Sequence, residues 1–244
     1  MHMEKRPPTV EMSRPKAATH GTPPAIVVPR WKRILDIAFI VVTLPLLAPV
    51  AVLIALVIKV VSKGPVLFRQ ERIGFLGQPF ICLKFRTMQV DAAPAVHQGY
   101  LESLIQSDEP MTKMDMMGDP RLIPLGSLLR SSGLDEIPQF VNVLRGEMSV
   151  VGPRPCTPYE YAKYTMPQKQ RFNSLPGLTG LWQVSGKNKT TFEEMVNMDI
   201  NYVKGKSLLW DFVIIARTGP AMFLQLVETM VRRKRGSKQS STEA

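Results

Sequence analysis

Two adjacent carboxylates, Asp135 and Glu136, sit just before Pro138 in the run Ser131-Ser132-Gly133-Leu134-Asp135-Glu136-Ile137-Pro138-Gln139. Proline is tolerated in the first turn of a helix, and Phe140, Val141 and Leu144 continue one to a stop at Gly146. The spacing therefore predicts both carboxylates at a helix N-terminus. There the dipole and free N–H groups favour anions, keeping Asp135 ionised and helping to hold a phosphate or a carboxylate-bound metal. Adjacent helical residues diverge by about 100°, so the two should take separate roles rather than act as one dyad. An acidic first turn that only complements the dipole is the plainer alternative.

The neighbouring cations change the weighting. Gly152-Pro153-Arg154-Pro155 holds Arg154 in extended backbone between two prolines, which suits bidentate contact with phosphate or carboxylate. In Phe80 to Met88, Lys84 and Arg86 fall on one face of a strand and Leu83, Phe85 and Thr87 on the other, although a half-buried strand with a solvated basic face gives the same alternation. Leu175 to Asn188 is punctuated by Gly177, Gly180 and Gly186, so its backbone can approach an anion closely. It is no P-loop, because the Gly-x-x-x-x-Gly-Lys-Ser/Thr order is missing.

Positioning these groups falls to a chain with a long apolar segment. Ile37 to Ile58 carries no charge over about 22 residues, enough to cross a bilayer as one helix. Its flanks are basic on both sides, Arg30, Lys32 and Arg33 before and Lys59, Lys63, Arg69 and Arg72 after, which places both ends in the cytoplasm. Pro45 and Pro49 favour a break in the middle, so the segment reads as re-entrant, with two arms of roughly 16 Å each that reach one leaflet only. A helix that bends near Ala48-Pro49 and returns reconciles the charges with the kink. Near the other end, Ser207 can cap a helix in which Leu208, Leu209, Phe212, Ile215 and Ala216 share a face, either packed in a core or lying at an interface with Trp210 at headgroup level.

Composition sets the frame. The chain has 244 residues, 45% of them hydrophobic, with a net charge of +11, which calls for an anionic partner: lipid, a phosphorylated substrate or nucleic acid. Nucleic acid would want aromatic residues interleaved with the basic ones and leaves the apolar segment without a purpose. Cys82 and Cys156 are too few and too isolated for a disulfide framework or a zinc site, which points to a reducing, cytosolic face. No histidine among His2, His20 and His97 is assigned a role. The expected organisation is a disordered basic tail over 1–30, the re-entrant membrane helix over 31–62, a cytosolic domain over 63–230 and a basic disordered tail over 231–244, with a mobile insertion around 91–117. The fold class is α+β: a small membrane-associated domain of helices and short strands with amphipathic interfacial helices.

The ordered set Lys32-Arg33…Asp36, a Pro-broken apolar helix, Gly-Pro-Val-Leu-Phe-Arg-Gln-Glu-Arg-Ile-Gly, Lys-Phe-Arg-Thr-Met, Asp-Pro-Arg, Leu-Asp-Glu-Ile-Pro-Gln, Gly-Pro-Arg-Pro and Pro-Gly-Leu-Thr-Gly-Leu-Trp-Gln-Val-Ser-Gly resembles the bacterial sugar transferases, the monotopic polyprenyl-phosphate phosphoglycosyl transferases, over about residues 31 to 225. The resemblance implies transfer of a sugar-1-phosphate from a nucleotide diphosphate sugar, usually a UDP-sugar, to undecaprenyl phosphate, at the cytosolic face of the bacterial inner membrane. By the same resemblance Asp135 attacks the β-phosphate, expels UMP and holds the phosphosugar covalently, while Glu136 ligates Mg²⁺. Lys84, Arg86, Arg121 and Arg154 become the phosphate-contact candidates, since an anionic nucleophile meeting an anionic diphosphate needs neutralisation. Many relatives have Ser-Pro at the bend where this chain has Ala48-Pro49. The implied partners are the nucleotide-sugar donor, the polyprenyl phosphate acceptor and inner-membrane lipid, with no nucleic acid; oligomeric state stays open, a homodimer included. A non-catalytic membrane scaffold is the rival reading.

Overall fold

The computed structural model describes residues 27–89, 99–100, 102–105, 107, 109–111, 121–186 and 189–240, with side chains as far as 227. The expected N-terminal tail lies outside them up to residue 26. Helix α1 runs Arg30–Val61 as one element through Pro45 and Pro49 rather than as two arms. Each proline removes one hydrogen bond, and because they are four residues apart both gaps fall on one side of the helix. That bends a helix more readily than it ends one.

Only the ends of α1 are buried. Lys32, Asp36 and Ile40 repeat every fourth residue at the start, and Ile54 and Ile58 do so near the finish. Between them Val42 and Leu46 are more than 70% exposed. Ile40 packs with Val143, Met148, Val150, Val151 and Ile214, while Ile54 and Ile58 pack with Phe85, Ile123 and Leu129. Both ends of α1 thus rest on one domain. Lys32 donates to Asp211 Oδ2 at 2.6 Å and Tyr202 Oη at 2.9 Å, and Asp36 Oδ1 accepts from Ser149 Oγ and Val150 N at 2.8 Å.

Strands β1, Leu67–Ile73, and β2, Pro79–Phe85, form an antiparallel hairpin in the register Leu67↔Phe85 to Ile73↔Pro79. Helix α2, Gly126–Ser132, and helix α3, Gln139–Arg145, follow, each closed by a left-handed glycine, Gly133 and Gly146. Strand β3, Ser149–Val151, pairs in parallel with β4, Gly177–Thr179, across a connection that carries α4, Pro158–Lys163. Helices α5, Leu181–Ser185, α6, Phe192–Gly205, and α7, Leu208–Ser240, complete the chain, so α7 continues past residue 230. The result is mixed helix and strand with one long apolar helix at its N-terminal end.

The expected mobile insertion at 91–117 is packed where it is described. Leu104 and Met111 are buried with Trp182, Phe192 and Met195, and Met111 N donates to Thr190 O at 2.8 Å. Their apolar side chains supply burial that the polar average of the stretch concealed.

Candidate active site

The chain leaves α2 through Gly133, at φ 71°, and makes one 3-10 turn, Leu134–Glu136, before α3 begins. The carboxylates therefore occupy a tight turn rather than the first turn of a helix, and α3 is too short to exert much dipole. The turn separates them, as their adjacency predicts. Asp135 is buried, 6% exposed, whereas the Glu136 side chain is 39% exposed and accepts a hydrogen bond from Lys84 Nζ at 2.7 Å. This charge-assisted contact keeps a cation beside the carboxylate pair, at a surface open enough for either group to turn to a phosphate or a metal.

Lys84 comes from β2, and the geometry of that strand decides the roles of its neighbours. Cys82 and Leu83 are both buried, so β2 has packing on both faces rather than one solvated basic face. The strand ends at Phe85, and Arg86 turns away from the pair: Nε donates to Pro65 O at 2.6 Å, Nη1 to Ser62 Oγ at 2.8 Å and Nη2 to Ser62 O at 3.0 Å. Every nitrogen of this guanidinium holds the turn that follows α1. Lys84 and Arg86 share a parity but not a destination.

Arg154 belongs to a second group of charges. Its side chain is one-third exposed and lies 3.8 Å from Glu160, which is buried at 1%. Its carbonyl accepts from Arg171 Nη2 at 3.0 Å, and Arg171 is itself paired with buried Asp199. Arg72, also buried, donates to Gln70 and weakly to Pro155 O. Burial lowers the Arg72 pKa and the nearby Arg154 lowers it further. Burial alone would raise the Glu160 pKa, but Arg154 and then Arg72 outweigh it, and the carboxyl sits below its usual range. Three guanidinium groups thus face two carboxylates, an excess of one positive charge that favours an anion beside Arg154.

The two groups flank one strand. Burial raises the Cys82 thiol, and the charges that reach it are those of Lys84, Arg72, Glu136 and Arg154. The Arg121 carbonyl accepts from Gln89 N at 2.8 Å next to the Met88↔Leu122 bridge, which follows β2.

Gly177 and Gly180, two of the glycines expected to approach an anion, press against Gly152. A Cβ on Gly152 would stand 2.2 Å from Leu175 O, one on Gly177 2.1 Å from Gly152 N, and one on Gly180 2.3 Å from Gly152 O. Gly152 N donates to Thr179 O and Gly177 N to Pro153 O, both at 2.9 Å. Close backbone packing of the two short strands fixes the Pro-Arg-Pro segment, which is how these glycines serve the site.

Several residues escape a reading of the sequence. Glu160 was legible as the far end of the Thr157-x-x-Glu160 capping box, which the structure forms, though not as the partner of Arg154. Asn142, Arg72 and the Arg171–Asp199 pair carry no spacing signal. Among the described residues no three His, Cys, Asp or Glu side chains group to hold a metal. Mg²⁺ needs no such cage: it keeps several waters and commonly binds through one or two carboxylates plus substrate phosphates, which Glu136 fits.

The model of a family described as bacterial sugar transferase matches residues 28–225. The exopolysaccharide production protein ExoY of Rhizobium meliloti (strain 1021) is 39% identical over 193 residues, 79% of this chain and 85% of that protein. The UDP-glucose:undecaprenyl-phosphate glucose-1-phosphate transferase of Caulobacter vibrioides is 38% identical over 210 residues, 83% of this chain and 73% of that protein. A protein of the same name from Escherichia coli (strain K12) is 35% identical over 212 residues, 84% of this chain but 42% of that longer protein.

Proposed function

The chain belongs to the bacterial sugar transferase family, and from that premise we propose that it transfers a sugar-1-phosphate from a UDP-sugar to undecaprenyl phosphate, releasing UMP. The observation that carries the proposal is the buried Asp135 next to the half-exposed Glu136, with Lys84 held 2.7 Å from Glu136. An Asp135 carboxylate oxygen attacks the phosphorus that bears the sugar. The bond from that phosphorus to the bridging oxygen breaks, its electrons leave with UMP, and an aspartyl phosphosugar remains. A phosphate oxygen of the lipid carrier then attacks the same phosphorus, and the Asp135 carboxylate departs. Lys84, Arg121 and Arg154 neutralise the diphosphate; Arg86 could join them only by releasing the Ser62–Pro65 turn. Mg²⁺ bound through Glu136 would screen the diphosphate charge and ease departure of the leaving phosphate.

The same reading gives α1 its purpose. Both of its ends pack on one domain while its middle is exposed and apolar, as a re-entrant helix in one leaflet requires. The flanking cations support a cytosolic position for the domain. Helix α3 packs beside α1 through Phe39 and Phe140 and exposes Val141 and Leu144; α7 exposes Leu209, Phe212 and Phe223 with Trp210 among them. These faces suit an interfacial position. The product would begin a glycan on its lipid carrier, for exopolysaccharide, capsule or O-antigen.

The test is UMP release from UDP-glucose, UDP-galactose and N-acetylated UDP-sugars by detergent-solubilised protein with Mg²⁺ and undecaprenyl phosphate. Release that depends on one sugar and falls at least about a thousandfold in Asp135→Asn is expected. Full activity of Asp135→Asn would remove Asp135 as nucleophile, and silence across the panel from well-folded protein would favour a scaffold.

A further inference from the structure

Helix α3 buries two amide side chains between the carboxylate turn and Gly146, Gln139 and Asn142. Asn142 is 0% exposed. Its Oδ1 accepts from Leu83 N at 3.0 Å, and its Nδ2 donates to Ile81 O at 2.7 Å and to Glu147 Oε2 at 2.6 Å. Among the described residues β1 pairs with one edge of β2, and on the other edge this side chain occupies one donor and one acceptor of those a third strand would use. Asn is suited to the task, since it offers an acceptor and a two-hydrogen donor on one planar group. The contact spans 59 and 61 residues of sequence and joins the element that follows Glu136 to the strand that carries Lys84.

We infer that Asn142 is a positioning residue for phosphate transfer: it locks β2 to α3 in one register and thereby fixes Lys84 against Glu136. Leu83, whose N–H is held, precedes Lys84 directly, and α3 begins three residues after Glu136. A slip of the strand along the helix by one residue would move Lys84 by roughly 3.3 Å and turn its side chain to the opposite face. The 2.7 Å contact would not survive that slip. The backbone of Asn142 is itself fixed at the end of α3, its carbonyl accepting from Gly146 N, Glu147 N and Met148 N.

The inference rests on the phosphate-transfer reading, and the test separates the two. Asn142→Asp keeps shape and acceptor but loses the donor to Ile81 O and sets a carboxylate against Glu147. The double variant Asn142→Asp with Glu147→Gln removes that repulsion and guards against a protein that merely fails to fold. The first readout is independent of activity: acetylation of Lys84, followed by mass spectrometry under limiting reagent, should be at least threefold faster in both variants than in wild type, with other lysines unchanged. The second is UMP release. Both variants should lose about 10- to 100-fold in kcat/KM in the wild-type background and less than threefold when Lys84→Met is already present. Unchanged Lys84 labelling would overturn the inference, as would an equal loss of activity in the Lys84→Met background. Faster Lys84 labelling in a family of proteins inactive on every UDP-sugar would instead leave the positioning intact and sink the proposed reaction.

Discussion

At the scale of single residues, Lys84 and Arg86 show how side chains of one strand parity can part company. Lys84→Met removes the cation beside Glu136, and a loss of about 10²- to 10³-fold in kcat/KM with little change in unfolding temperature is expected. Arg86→Met should do the reverse. Its three part-buried contacts hold the turn after α1, so a stability loss of about 2 to 4 kcal/mol is expected by denaturant unfolding. Glu160 contributes one pH-dependent share of the stability. Its folded pKa lies below the unfolded value, so its contribution to stability is present above that value and is lost as pH falls through the folded pKa. Glu160→Gln should therefore be less stable than wild type at pH 7 and lose less stability between pH 7 and pH 4, as measured by thermal unfolding across that range. The structure holds Lys84 2.7 Å from Glu136; the sequence alone singled out Asp135, Glu136 and Lys84 but fitted an acidic first turn and a solvated strand face as well. It misplaced Arg86 because alternation says which face a residue takes and not where the strand stops.

Among the elements, the strands and the ends of α1 do the positioning. A Cβ at Gly152 or Gly177 would press within 2.2 Å of facing backbone, so Gly152→Ala should cost at least about 2 to 3 kcal/mol and weaken donor binding by displacing Arg154. A calorimetric titration with UMP checks the second part. At the start of α1, Lys32→Met leaves Asp211 buried and without its cation, a change that costs about 3 to 5 kcal/mol for buried pairs. Arg33 donates to the Val143 and Leu144 carbonyls at the far end of α3, so α1 holds one end of the helix whose other end follows the carboxylates. Helix α3, which follows α2, was legible from its apolar spacing and the glycine that closes it. The 3-10 turn between them was not, because proline at 138 fits the start of a helix and the exit from a turn equally well. Asn142 was invisible for a different reason: one amide in an amphipathic helix gives no sign that a strand edge waits opposite it.

For the whole molecule, the governing feature is an apolar helix whose two ends share one domain. A cysteine placed at Arg30 and another at Val61 should both react with a membrane-impermeant maleimide from the cytosolic side of inverted vesicles and neither from the opposite side. Labelling from opposite sides would mean that α1 crosses the bilayer. The +11 charge fits a protein that handles a diphosphate at an anionic surface, and the exposed apolar residues of α1, α3 and α7 supply the depth. The proposed reaction turns on one chemical event at Asp135, which intact-protein mass spectrometry can test directly. Purified protein incubated with the UDP-sugar that supports UMP release, but without lipid acceptor, is expected to gain the mass of one sugar phosphate. That mass should disappear when undecaprenyl phosphate is added and should never form on Asp135→Asn. Turnover with no such adduct under rapid acid quench, or an adduct that persists on Asp135→Asn, would contradict transfer through Asp135.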